Sequence, residues 1–176
     1  MYAISDPAPT SRPTGTVLDA SPAGFGDWVR PHWTAMAALA RRLSDTADWE
    51  DVLQEALSSA WRKRAQFDPA RGTSRAWLLA ITADQARKSH RRIRALPFTG
   101  QDDHPAPTVD QALELDLDRA VAALPPRQRL AVNLRYFIGL PVAEVATVMA
   151  CSEGTVKSTL SDARSRIRSL LGEDYR

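Results

Sequence analysis

Residues 97–108 read "PFTGQDDHPAPT", with three prolines and no apolar rhythm, while the chain on either side keeps a helical beat. Proline lacks an amide hydrogen, and short polar residues favour turns, so this stretch neither continues a helix nor joins a sheet. It acts as a flexible linker and splits the chain into two parts. Upstream, Phe25, Trp28, Val29, Trp33, Met36, Ala40 and Leu43 share one helix face, and Pro31 marks where that helix starts or bends. Trp49, Val52, Leu53, Ala56, Leu57, Ala60 and Trp61 form the stripe of a second helix over 48–64. "FDPARGTS" makes a turn whose Thr73 or Ser74 caps a third helix over 75–94. That helix is apolar nearly all round as far as Ile81 and basic beyond it, so its first half is buried and its second half projects. Downstream, helical patterns cover 109–123, 126–138, 141–149 and 152–171, with Pro125 and Pro126 suited to a first turn. No segment alternates as a strand does. The expectation is an all-α chain of two small helical domains. A disordered tail spans 1–22, a first domain 23–96, the linker 97–108 and a second domain 109–176.

Charge distribution says more than composition. The net charge is only +2, but residues 87–94, "RKSHRRIR", are almost wholly basic and residues 45–55, "DTADWEDVLQE", are acidic. Separated blocks of opposite sign point to two partners rather than one charged surface. A 44% apolar chain with no membrane-length run, no membrane insertion and no secretory leader pattern reads as globular and cytoplasmic. Its one cysteine, Cys151, excludes an internal disulfide and has no companions for a metal. His32, His90 and His104 are scattered, and neither a phosphate loop nor a nucleophile motif is present, so an enzyme is not expected and no cofactor is implied.

The last helix is unusual. In "CSEGTVKSTLSDARSRIRSLL", Val156, Leu160, Ala163, Ile167, Leu170 and Leu171 form the apolar stripe, Ser152 stands as N-cap, and Glu153 meets the positive end of the dipole. Gly154, Ser158, Ser161 and Ser165 point away from that stripe, and Lys157, Arg164 and Arg168 line one flank. Preceded by the short apolar helix "PVAEVATVM", this makes a helix-turn-helix pattern. Short polar residues let a helix backbone approach base edges, and the flanking cations suit phosphates. On the wheel alone, a bundle helix with a solvated flank is an even alternative. A regulator with a helical sensor or dimerisation domain ahead of the helix-turn-helix also remains open.

Three stretches together resemble the sigma-70 family of RNA polymerase subunits. "LPPRQRLAVNLRYFIGLPVAEVATVMACSEGTVKSTLSDARSRIRSLL" (124–171) looks like region 4, "DWEDVLQEALSSAW" (48–61) like the polymerase-binding helix of region 2, and "TSRAWLLAITADQARKSHRR" (73–92) like its promoter-melting helix. The spacing leaves no room for an intermediate domain, as in the small extracytoplasmic-function group. The resemblance implies a DNA-binding initiation factor for bacterial core RNA polymerase, touching its β′ clamp helices and β flap, and it makes an inhibitory anti-sigma partner plausible. It implies polymerase contacts at Asp48, Glu50, Asp51, Gln54 and Glu55. It implies contacts with an opened −10 element at Asp84, Arg87, Lys88, Arg91 and Arg92. It implies duplex −35 contacts at Ser152, Thr155, Lys157, Ser158, Ser161, Arg164 and Arg168. Trp77, in the apolar half of its helix, reads as core rather than as a stacking platform. The chain departs from the family where asparagine is common at Asp84, aspartate at Lys88, and basic residues at Thr159 and Asp162. An anion at position 84 repels a phosphate backbone, yet can accept from a cytosine amino group.

Overall fold

The computed structural model describes residues 21–44, 49–94 and 109–171. The linker 97–108, residues 1–20 of the tail and Asp48 lie outside them. Pro22–Val29 forms α1, capped by Ser21, whose Oγ accepts from the Gly24 amide at 3.1 Å. At Pro31 the chain bends through a 3₁₀ turn, Arg30–His32, into α2, Trp33–Leu43. Helix α3 spans Trp49–Lys63 and α4 spans Ser74–Arg94. Between them Asp68 Oδ1 accepts from the Ala70 amide, and Thr73 Oγ1 caps α4 by accepting from the Ala76 amide at 3.1 Å.

The first lobe closes around Met36, Leu39 and Ala40 of α2, Val52, Leu53 and Ala56 of α3, and Ala76, Leu78 and Leu79 of α4, all buried. Helix α1 is fastened to it by aromatic rings. Phe25 meets Trp61 edge-on at 5.2 Å between centroids, and Trp28 packs against Phe67 and Trp77 at 5.3 and 5.7 Å. Trp77 therefore packs against the core, partly buried, as its place in the sequence indicates.

The second lobe contains α5 (Val109–Ala122), α6 (Pro126–Val132), α7 (Val142–Met149) and α8 (Glu153–Leu171). Where periodicity gave one helix over 126–138, α6 loosens into a π turn at Asn133–Phe137. One extra residue in that turn shifts the register enough to bury Leu134 and Ile138 while Tyr136 and Phe137 stay exposed. Between α7 and α8, Ala150 adopts a left-handed conformation (φ 49°), and the Cys151 amide reaches back to the Ala146 carbonyl at 3.0 Å.

The two lobes also touch. Helix α4 packs on α2 and α3 within its own lobe and on α7 of the other. Its first half is apolar nearly all round, and α7 covers part of the surface that α2 and α3 leave. Gly72, at the turn before α4, has φ 153°, and a Cβ there would meet Thr147 Cγ2 of α7 at 3.0 Å. Glycine is needed at this position for both its dihedral and the closeness of the packing.

Candidate functional site

The acidic face of α3 follows directly from its stripe. Val52, Leu53 and Ala56 turn inward, which leaves Glu50, Asp51, Gln54 and Glu55 exposed on the outer side of the first turns. Carboxylates at a helix N-terminus are favoured by the dipole, and an exposed acidic face of this kind is complementary to a basic surface.

Across a shallow groove of about 220 Å³ lies the second half of α4. Asp51 and Glu55 line one wall, and Gln85, Lys88 and Arg92 line the other. Arg87, Lys88, Arg91 and Arg92 are exposed, as expected of the projecting half. Asp84 is different: its side chain is 29% exposed, and both oxygens are engaged, Oδ1 by Arg87 and Oδ2 by Lys88 Nζ at 2.8 Å. Partial burial pushes this carboxyl up, but the hydrogen bonds and charges of Lys88 and Arg87 outweigh it and hold its pKa below the usual aspartate value. Sequence reasoning treated the departures at 84 and 88 as separate. The structure joins them in one ion-paired cluster.

In α8, Ser152 caps the helix, its Oγ accepting from the Thr155 amide at 3.1 Å and lying 2.9 Å from Thr155 Oγ1. Ser158 Oγ donates to the Thr155 carbonyl at 3.0 Å. These bonds hold the small side chains close to the helix, so the outward nose is a smooth polar surface. Lys157, Ser161, Arg164 and Arg168 are exposed around it, and Asp162 also faces outward. Val156, Leu160 and Ala163 are buried beneath. Residues that sequence reasoning left aside are Arg42 and Arg75, which reach from the first lobe into the second. Their partners are more than sixty residues away, and helical periodicity carries no signal at that range.

Comparison with known proteins agrees with this layout. The Sigma-70 region 2 family model matches residues 29–95, and the Sigma-70, region 4 model matches residues 114–167. The ECF RNA polymerase sigma factor SigE of Mycolicibacterium smegmatis is 34% identical, in an alignment covering 94% of this chain and 70% of that protein. SigM of Mycobacterium tuberculosis, another ECF sigma factor, is 33% identical over 84% of this chain and 77% of its own. Among solved structures, CnrH in complex with the cytosolic domain of CnrY matches with a TM-score of 0.69 at 27% identity, covering 90% of this chain and 94% of that one. RpoE from Bartonella quintana, bound to the anti-sigma factor NepR, matches at 0.66 and 29%, covering 85% and 98%. With both regions matched in order, and relatives of one group aligned across most of its length, the chain belongs to the sigma-70 family as an ECF RNA polymerase sigma factor, which directs transcription initiation and is not an enzyme.

Proposed function

We propose that the three surfaces divide the work of initiation. The carboxylates of α3, Asp51 and Glu55 foremost and Asp48 with them, dock on the β′ clamp helices of core RNA polymerase, and the second lobe contacts the β flap. Docking sets Arg87, Lys88, Arg91 and Arg92 of α4 against the opened −10 strand, where cations hold phosphates. The nose of α8 enters the −35 major groove, with Thr155, Lys157, Ser158 and Ser161 toward bases and Arg164 and Arg168 on the backbone. Two weak DNA contacts on one chain reinforce each other through effective concentration. The work takes place in the cytoplasm, and an anti-sigma protein that covers both lobes is the expected inhibitor.

The observation that carries this reading is the pairing of an acidic and a basic wall on α3 and α4, apart from an uncluttered polar nose on α8. It is tested by separating the surfaces. Lys157→Ala with Ser158→Ala should cut promoter-specific transcription about tenfold, close to 1.4 kcal/mol, with co-elution on core polymerase unchanged. Asp51→Ala with Glu55→Ala should abolish co-elution. If each pair impaired both properties equally, the division would be wrong. Tight duplex binding by the protein alone, without a polymerase complex, would return it to a free-standing regulator.

A further inference from the structure

Arg42, near the end of α2, crosses between the lobes and is held on three sides. Its Nε donates to Asn133 Oδ1 at 2.6 Å, and its Nη2 donates to Asp118 Oδ1 of α5 at 2.7 Å. The guanidinium carbon sits 3.2 Å from the centre of the Phe137 ring. An exposed ion pair holds little by itself, but this side chain is only 25% exposed, and Asn133 is fully buried. A planar guanidinium with two directed bonds and an aromatic face beneath it is fixed in one geometry. Two further links flank the α4–α7 contact. Arg75 Nη2 donates to the Ile138 carbonyl at 2.8 Å, and the Thr73 hydroxyl donates to Glu144 Oε1 at 3.4 Å.

Closed in this way, the chain is too short for its promoter. The names of the elements put their centres about 25 base pairs apart, about 85 Å along B-form DNA. The lobes meet at Gly72 and Thr147. From Gly72 to Arg92 is under about 35 Å, and from Thr147 to Ser158 at most about 30 Å, by helix rise and extended-chain length. Laid end to end, these fall short by about 20 Å. The residue that receives Arg42 is also left incompletely satisfied: Asn133 Nδ2 is buried without a hydrogen-bond partner. Opening would hydrate it, which makes the contact reversible rather than permanent.

We propose that Arg42 is an intramolecular latch: it holds the two lobes together in the free protein, and its release must precede simultaneous engagement of −10 and −35. This rests on the reading that α4 and α8 grip two separated promoter elements. The test uses the full chain with Cys151→Ser, carrying dyes on cysteines placed at Ser58 and Ser165, both exposed. The latched chain should give one short interlobe distance. Arg42→Glu, which turns attraction to Asp118 into repulsion, should give a longer and broader one, and adding Asp118→Arg should restore the short distance. That restoration also shows that the variant folds. With limiting protein and core polymerase, Arg42→Glu should raise initiation severalfold. A parent chain already at the long distance, or an Arg42→Glu chain still at the short one, overturns the latch. Opening without a gain in initiation overturns its role at the promoter. A parent chain that starts no RNA overturns the promoter reading instead, and the distances then decide the latch alone.

Discussion

The two helices proposed to meet DNA, α4 and α8, are buried in different ways. Helix α4 divides its work along its axis. As far as Thr82 it is walled in by α2, α3 and α7, and its exposed cations lie beyond that point. Helix α8 divides its work around its circumference: Val156, Leu160 and Ala163 are buried on one side while the outward face runs from Ser152 to Arg168. A helix buried end-on presents charge at its tip, which suits a strand that has been opened and must be held along its phosphates. A helix buried edge-on presents a long shallow face, which suits a groove. Tolerance to substitution should therefore follow sequence position in α4 and wheel position in α8.

The largest expected effect tests that rule in the core. Leu78 is completely buried, and truncation to alanine there should cost about 3–4 kcal/mol, read as a shift in the urea midpoint. Leu160→Ala in α8, at 5% exposure, should cost less, about 2–3 kcal/mol. Equal costs would mean that α4 is no more deeply embedded than α8.

Next in size are the cations. Arg164→Ala should flatten the salt dependence of −35 duplex binding by about 0.9 in log–log slope, whereas Arg92→Ala should flatten single-strand binding by about 0.7. Each should weaken its own target severalfold and leave the other unchanged. Loss of both targets from one substitution would merge the two sites.

Both divisions could be read from the sequence before any coordinates. In α4 the signal was a change of composition after Ile81, and in α8 it was the wheel of small residues opposite Val156 and Leu160. The inward packing of Trp77 is legible for the same reason, since it lies ahead of the switch. What escaped notice depended on contacts that periodicity does not encode. Arg42 finds Asp118 and Asn133 at separations of 76 and 91 residues, and nothing local marks it. The π turn was hidden because apolar residues continue through it, and a one-residue slip is invisible to a pattern that tolerates both i+3 and i+4. Asp84 was a different kind of miss. Its partners stand at i+3 and i+4, the spacing at which helical ion pairs form, so the signal was available.

That cluster gives a smaller effect with an informative sign. Asp84→Asn releases Arg87 and Lys88, so affinity for single-stranded −10 DNA should rise two- to fivefold, with a steeper salt dependence. If Asp84 instead accepts from a base directly, affinity should fall, and only for strands with cytosine at the position it reads. Fluorescence anisotropy with two oligonucleotides differing at that base separates the cases. The first outcome makes Asp84 a positioning residue for the cations; the second restores it to the base contact that the family resemblance implied.

The smallest effect comes from the turns that precede the two helices. Before α4 stands Gly72, where both φ and the approach of Thr147 exclude a side chain. Before α8 stands Ala150, an L-residue at φ 49° and ψ 51°. Left-handed backbone costs a residue with a Cβ about 1 kcal/mol, which Ala150→Gly would recover. Glycine, however, loses roughly 0.5–1 kcal/mol more chain entropy on folding, and the two terms nearly cancel. The expected change in unfolding free energy is within about 0.5 kcal/mol, with −35 binding unaltered because the turn already holds the conformation that glycine prefers. A stabilisation well above 1 kcal/mol would mean that the turn carries more strain than its dihedrals imply. A loss of −35 binding would mean that the alanine methyl helps to aim α8, giving that turn a packing role that the turn before α4 has in its contact with Thr147.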